Sequence, residues 1–451
     1  MFLKEGLSRE TIALVVGYLD LAGESGVKID LDVLSVLKTR GVSIITGIVN
    51  SRESMNREIY TLPPEKVLRE VESVTRFNRI KTGKVLFSRE TVDVIRPILD
   101  RLEDLRVALV VELDTLGETS RNLIKEILGE SLLIKILVAD MRSIESVISR
   151  KVESLTTARE VSIELLKSLR IESLLILNVE ISGKLVDLYY RRDGFEKQFS
   201  SLEIDENCRW ISRQILSASI LAFLAHGLSI EDSIERSREF LGEVYKYKTV
   251  IGRRCIMDPV SLIDVLANKY LAIENVERAL ELLIKHGEKV YEAVPEVGLN
   301  IAMSIPSHYV RDTRDVAGVK GRVVRYGDTI KPVGPVVMGG SSHLARLIIE
   351  VQKRDPSIRA AVNIRFREEY IERAVKKGLK TVFIDRTREP EDIKRIEGAS
   401  MRWIVSKAFE ILGETPDIIY DRGDIGKEAM IRILGREALE VVKKLFLILE
   451  E

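Results

Sequence analysis

The feature that most restricts the fold of this chain is its rhythm. From Thr11 to about Arg254, short runs rich in β-branched residues alternate with amphipathic helical stretches. The runs fall at 12–16, 42–49, 107–111, 133–138 and 173–179, and helical periodicity covers 64–75, 89–102, 120–128 and 229–245. Strands separated by helices return to their sheet by crossovers, so the rhythm predicts a mostly parallel sheet with helices on both faces. From Asp258 to Glu292 only helical periodicity remains, in Leu262, Val265 and Leu266 and then Val276, Ala279, Leu280 and Leu283. This stretch reads as a linker helix pair. Pro295 and Gly298 open a second alternating block. It has a glycine-rich, hairpin-like segment at 321–334, a helix at 342–353 and strands at 360–365, 381–385 and 417–420. The expected organisation is an α/β domain over 1–255, a helical linker over 256–290 and a smaller α/β domain over 291–451.

Composition narrows the function classes. With 45% hydrophobic and 31% charged residues, the 451-residue chain is globular and not disordered. Lys+Arg 70 balances Asp+Glu 70, which removes the footprint of a nucleic-acid-coating or membrane-surface protein. Ligands must therefore be recognised locally. The apolar stretch 215–225 is shorter than the ~20 residues that span a bilayer, and residues 1–10 hold no apolar leader segment, so a cytoplasmic protein is expected. Cys208 and Cys255 stand in no CxxC or histidine-paired spacing, which supports neither a disulfide framework nor a zinc site. Abundant Glu, Lys and Arg beside three glutamines fits the ion-paired surface of a thermophile.

Three segments carry candidate chemistry. Gly339 and Gly340 precede Ser341, Ser342 and His343, and Leu344, Leu347, Ile348 and Val351 form a stripe behind them. A helix starting at either serine would offer free N–H groups to an anion, and the glycines would let the backbone approach it. The plainer alternative is a glycine turn with an ordinary cap and a structural histidine. Arg322, Arg325 and Lys331 lie in the hairpin-like segment, where strand alternation places Arg322 opposite Val323 and Arg325. An inward arginine there would suit a phosphate, and a solvated hairpin is the other reading. Asp421, Gly423, Asp424, Gly426 and Lys427 form a loop after a strand. It could hold phosphate through Lys427 or a cation through Asp421 and Asp424, or merely connect two elements. Arg432 stands on a strand or a helix. His226 and His286 read as helix C-terminal residues favoured by the dipole, and His308 is ambiguous.

The second block resembles a known family. Pro295 to Ala302 with Asn300, Asp315 to Arg322, Val333-Gly334-Pro335, Gly340-Ser341-Ser342-His343, Ile358 to Ile364 with Asn363, Asp385-Arg386, Pro416 to Asp421, Gly426-Lys427-Glu428 and Met430-Ile431-Arg432 are similar to the archaeal thiamine-phosphate synthase domain. That domain is usually fused behind a hydroxymethylpyrimidine kinase and is unrelated to the bacterial barrel synthase. The resemblance implies catalytic roles for Arg322 and His343. It implies substrate or phosphate contacts for Gly340, Ser341, Ser342, Asn300, Asn363, Lys427 and Arg432. Mg²⁺ is the implied cofactor, and phosphorylated pyrimidine and thiazole are the implied substrates. No nucleic acid or membrane partner is expected, and a homo-oligomer is left open.

The first block resembles that kinase half, of the ribokinase superfamily, which implies a three-layer α/β domain. Gly17 to Leu31 echoes the opening GxDxxGGAGIQADL with one extra residue before Asp20, Asp30 matches the acid that binds the aminopyrimidine, and Lys81-Thr82-Gly83 echoes VKTG. The match breaks at the anion-hole motif GTGC. The helix that follows it fits 215–227 without gaps, which puts Ile211, Ser212, Arg213 and Gln214 on the motif. Residues 50–53 replace the TAQNT stretch, and 178–180 replace the KGG segment. Asp20, Asp30 and Lys81 then read as a vestigial pyrimidine site in a degenerate kinase. ATP would serve only if this half were active. A bifunctional enzyme that keeps the kinase step and a non-catalytic thiamine-phosphate sensor are the alternatives.

Overall fold

The computed structural model describes residues 11–50, 58–77, 80–88, 91–113, 134–148, 150–152, 154–169, 171–181, 183–252, 254–395, 398–424 and 426–450. The helix expected at 120–128, the leader reading of 1–10 and residues 51–53 of the TAQNT comparison lie outside them. The chain divides into two compact units, Met1–Leu262 and Ile263–Glu451.

The first unit is built on strands β1 (Ile12–Asp20), β2 (Arg40–Asn50), β3 (Glu58–Thr61), β4 (Thr82–Phe87), β5 (Ala108–Leu113), β6 (Ile134–Asp140), β7 (Ser173–Ile181), β8 (Lys184–Arg191) and β9 (Glu196–Ser200). Their order is β3-β2-β1-β4-β5-β6-β7-β8-β9. From β2 to β7 they run parallel, and β3, β8 and β9 add antiparallel edges. Because helices cover both faces, the central strands are apolar on both sides, as in Ala13, Leu14, Val15 and Val16. Helices Pro64–Phe77, Val92–Asp104 and Leu155–Ser168 close one face. Helices Val27–Val36, Arg209–Ala225 and Ile230–Tyr245 close the other.

Cys208 and Cys255, expected to be unpaired, form a disulfide across a sequence separation of 47. Cys255 lies on β11 (Arg254–Ile256), which pairs with β10 (Thr249–Ile251) and returns the chain to the start of the helix Arg209–Ala225. Motif spacing detects only local pairs, and this one is made by tertiary structure.

In the second unit, β12 (Ile301–Ser304), β13 (Val316–Val319), β16 (Val336–Met338), β17 (Ala360–Arg365), β18 (Thr381–Phe383), β19 (Ile418–Asp421) and β20 (Met430–Gly435) form a sheet in the order β16-β13-β12-β17-β20-β19-β18. It is antiparallel except for β18 beside β19. The glycine-rich segment is a separate hairpin of β14 (Val323–Tyr326) and β15 (Thr329–Pro332). Helices Ser342–Gln352 and Ala399–Leu412 cover one face of the sheet, through Leu344, Leu347, Ile348, Met401, Ile404 and Val405. The stretch read as a linker helix pair differs. It holds one helix of 25 residues, Ser261–Lys285, and a short one, Gly287–Tyr291. Ala272, Val276, Ala279, Leu280 and Leu283 belong to the core on the other face of this sheet. Among the described residues no helix is long and apolar enough to cross a membrane.

Candidate active site

Arg432 lies on β20, opposite Asn363 of β17 and Ile419 of β19. Its neighbours Ile431 and Ile433 point into the core on the far side, so strand alternation turns Arg432 toward the helix Ser342–Gln352. Between them is a cavity of about 500 Å³. Its wall includes Arg322, Gly340, Ser341, Ser342, His343, Asn300, Asn363, Lys427 and Arg432, which lie far apart in sequence. Two further cations, Arg346 and Arg386, also line it. Arg346 follows His343 by three positions and shares its helix face, a spacing that sequence alone could have used. Arg386 stands in a short turn after β18, and the sequence marks it only through the Asp385-Arg386 match, to which no role was attached.

Several of these residues act differently from their expected roles. Ser341 is the N-cap, but its hydroxyl makes no capping hydrogen bond. Gly340 is required by packing: a Cβ there would sit 2.1 Å from the Gly318 carbonyl oxygen of β13. Asn300 and Asn363, expected to touch substrate, are occupied by backbone. Asn300 Nδ2 donates to the carbonyls of Val319 and Gly321 at 3.0 and 3.1 Å, and its Oδ1 accepts from the N–H groups of Ile301 and Val319 at 2.9 and 3.1 Å. Asn363 Oδ1 accepts from Asn300 N–H at 2.8 Å, and Nδ2 donates to Gly298 O at 3.1 Å. The two amides therefore clamp the loops on which Arg322 stands. Gly298, at φ 85°, seats that arginine, since a Cβ would lie 2.9 Å from the Arg322 stem. Arg325 takes a separate part: it donates to Tyr291 O and Val294 O at 3.0 and 2.8 Å.

Charge is concentrated at the back of the cavity. Arg432 Nη1 donates to Asp421 Oδ2 at 2.7 Å, and both are buried. Arg386 donates through Nε and Nη2 to Glu389 Oε2 at 3.1 and 2.8 Å, and Lys427 Nζ reaches the same oxygen at 3.1 Å. Ser400 donates to the other Glu389 oxygen. His343 opens onto the cavity, whose walls surround it. Loss of water there, with the guanidiniums of Arg432, Arg386 and Arg346 nearby, lowers its pKa to about 4, so the free site holds a neutral imidazole.

The donor set does not fit a resident cation. Asp421 is committed to Arg432 and to the Gly423 N–H, and the Asp424 backbone closes a turn with Lys427. Among the described residues no group of three or more His, Cys, Asp or Glu is placed to hold a metal. The other histidines stand outside the cavity. His226 is held by Thr39 Oγ1 at 3.0 Å and Leu37 O at 3.1 Å, and burial lowers its pKa. His226 is the C-cap of the helix Arg209–Ala225, at the helix end where the sequence put it. Its ring is held by hydrogen bonds and its pKa is lowered, so a charge favoured by the dipole is not what holds it there. His286 packs edge-on against Phe446, and His308 packs against Tyr309.

In the first unit the structure separates the expected trio. Asp20, at the C-terminal end of β1, accepts from the Ala22 N–H and the Ser25 hydroxyl. Asp30 is buried against Lys84 Nζ at 2.6 Å. Lys81 is exposed just before β4, whose Gly83 pairs with Leu14 near the start of β1, at the sheet end opposite Asp20. The buried cation that local sequence did not reveal is Lys84. It also meets Glu112 Oε2 at 2.8 Å, and Arg213 donates to Glu112 Oε1 at 3.2 Å and to Asp140. Gln214 grips the backbone of Gly26, accepting at 3.1 Å and donating at 2.9 Å. Residues 211–214 are helical, so the N–H groups of Arg213 and Gln214 point back into their own helix.

Residues 20–259 match the phosphomethylpyrimidine kinase family, and residues 275–446 match thiamine-phosphate synthase ThiN. A protein of Methanothermobacter thermautotrophicus named thiamine-phosphate synthase ThiN is 38% identical over 173 residues, covering 38% of this chain and 90% of the relative. This chain belongs to both families, through its first and second units respectively. Over nearly its whole length the two-family chain is similar to the bifunctional thiamine biosynthesis protein ThiDN of Methanocaldococcus jannaschii. The two are 28% identical, covering 96% of this chain and 97% of the relative. The Bacillus subtilis pyridoxal kinase, solved as an ADP complex, covers 56% of this chain and 98% of its own at 17% identity, with a TM-score of 0.50, which supports the ribokinase-like fold. As a ThiN-family member the chain is a transferase.

Proposed function

We propose that the second unit joins 4-amino-2-methyl-5-pyrimidinylmethyl diphosphate to thiazole phosphate, giving thiamine phosphate and pyrophosphate. The observation that carries this reading is the convergence of Arg322 and His343 on one cation-rich cavity. As the carbon–oxygen bond to the diphosphate breaks, the aminopyrimidine feeds electron density to its methylene, and the thiazole nitrogen forms the new bond. The enzyme's main task is to stabilise the departing anion, by donors already in place. Arg322 suits a bidentate phosphate contact, and neutral His343 suits donation of an N–H to a phosphoryl oxygen. Because the carboxylates nearby are committed to arginine and lysine, Mg²⁺ would enter with the diphosphate, and no step here depends on it.

The first unit is read as a degenerate kinase. Phosphoryl transfer depends on positioned donors around the moving group. Here a helix with Arg213 and Gln214 side chains fills the anion-hole position, and Lys84 fills the place beside Asp30. The test is a product assay on the purified chain from each phosphorylation level of the pyrimidine, with and without ATP. Thiamine phosphate is expected from the two phosphorylated halves without ATP, and a fall of at least about a hundredfold in Arg322→Ala and in His343→Ala with folding unchanged. Full turnover in both variants would remove the assignment of those residues, and ATP-dependent phosphorylation of the pyrimidine would restore the kinase.

A further inference from the structure

We propose that the back of this cavity is a second anion subsite, in which Arg346, Arg386 and Arg432 hold a phosphate dianion apart from Arg322. Only the identity of the physiological ligand rests on the synthase reading. Arg386 and Arg432 are buried at 5% and 3% exposure, whereas Arg322 is exposed. Arg432 Nε has no hydrogen-bond partner among the described residues, although an unpaired buried guanidinium N–H is costly. Arg386 uses Nε and Nη2 on Glu389, while its Nη1 is 3.9 Å from Asp421, beyond hydrogen-bond reach. Arg386 and Arg432 thus each have a carboxylate behind them and an N–H still to be satisfied.

Charge counting points the same way. At the back of the cavity Arg386, Lys427 and Arg432 are set against Glu389 and Asp421, a surplus of one positive charge before Arg346 is added. Glu428 is turned away, accepting from the N–H groups of Glu296 and Val297 at 2.9 and 3.2 Å. A phosphomonoester carries about −1.5 to −2 near neutral pH, the sign of charge that such a surplus attracts. The seat of Arg346 is also built. Gly398 has φ 83°, and a Cβ there would lie 2.9 Å from Arg346 Nε and 3.1 Å from Cζ, so the guanidinium lies against bare backbone. Gly298 in the same way makes room for the aliphatic stem of Arg322.

The dianion could be the monophosphate of the thiazole or part of the diphosphate. Calorimetric titration of the full chain with inorganic phosphate and with pyrophosphate tests the subsite without turnover. Arg346→Ala is expected to weaken binding by ten- to a hundredfold with an unchanged melting profile, and Arg346→Lys by less, because a point charge replaces a fork. Gly398→Ala should weaken binding as much and also lower the melting temperature, because alanine is strained at φ 83°. Should Arg346→Ala fail to fold, the lysine and Gly398→Ala variants decide. Wild-type affinity for both anions in the folded variants would overturn the proposal. In steady-state assays, a raised KM for thiazole phosphate alone assigns the subsite to the monophosphate, and a lowered kcat with weaker pyrophosphate inhibition assigns it to the leaving group. A wild-type chain that makes no thiamine phosphate, yet loses phosphate binding on Arg346→Ala, would sink the synthase reading and keep the subsite.

Discussion

His343 is exposed on the cavity wall, and partial desolvation there, together with the charges of Arg432, Arg386 and Arg346, lowers its pKa to about 4, so the ring is neutral in the free site. A bound dianion offsets those charges, so the imidazole pKa must rise in the complex, and anion binding must draw in protons. The sign follows from that order: with pKa about 4 when free and higher when bound, affinity increases as pH falls from the bound value toward 4. Pyrophosphate titrations in buffers of different ionisation enthalpy should show more proton uptake for the wild type than for His343→Asn. Equal uptake would mean that the ring does not face the anion. Local marks, namely glycine turns, a helix start and strand alternation, singled out Arg322 and His343 as candidates, the resemblance supplied their roles, and the structure places both on the cavity wall. The parts played by Asn300 and Asn363 were not legible, since a side-chain amide binds ligand or backbone according to what the folded chain brings to it. The sequence showed the glycine pair but not the packing need at Gly340, where the chain passes the Gly318 carbonyl.

At the level of elements, the alternating rhythm correctly foretold a parallel sheet between two helical layers, because period and β-branching are local properties. The helix Arg209–Ala225 was readable in part: 215–227 was matched to the family's helix, whereas 211–214, placed on the anion-hole motif, proved to belong to the same helix. What rhythm could not convey was register and distant pairing. The antiparallel direction of the second sheet, the single helix at Ser261–Lys285 and the Cys208–Cys255 bridge all depend on contacts between remote segments. The bridge closes a loop with a separation of 47, for which chain entropy gives roughly 4 kcal/mol of stabilisation. Denaturant unfolding of Cys255→Ser, compared with the oxidised wild type, should show a loss of that order confined to the first unit, with the synthase rate unchanged. An unfolding curve identical to that of the oxidised wild type would mean that the bridge does not form in solution.

Across the whole molecule, the two units have separate cores and opposite polar strategies. The second turns its buried arginines toward a cavity; the first turns its buried charges on one another. Burial opposes charge on Lys84, but Asp30 and Glu112 outweigh it and raise its pKa, while burial pushes Asp30 up to about 7. Such a network is typically close to neutral in stability when whole and costly when broken, because the remaining charges lose their partner. Lys84→Met should therefore cost the first unit about 3–5 kcal/mol. Calorimetry should show one transition of the variant moving down while the other stays in place. The same sample should make thiamine phosphate at the wild-type rate per folded second unit, with or without ATP. That combination separates a structural network from a substrate site, because a working pyrimidine kinase would lose an ATP-dependent activity in this variant. If the wild type has such an activity and Lys84→Met lacks it, the buried charges belong to catalysis and the first unit is a working kinase.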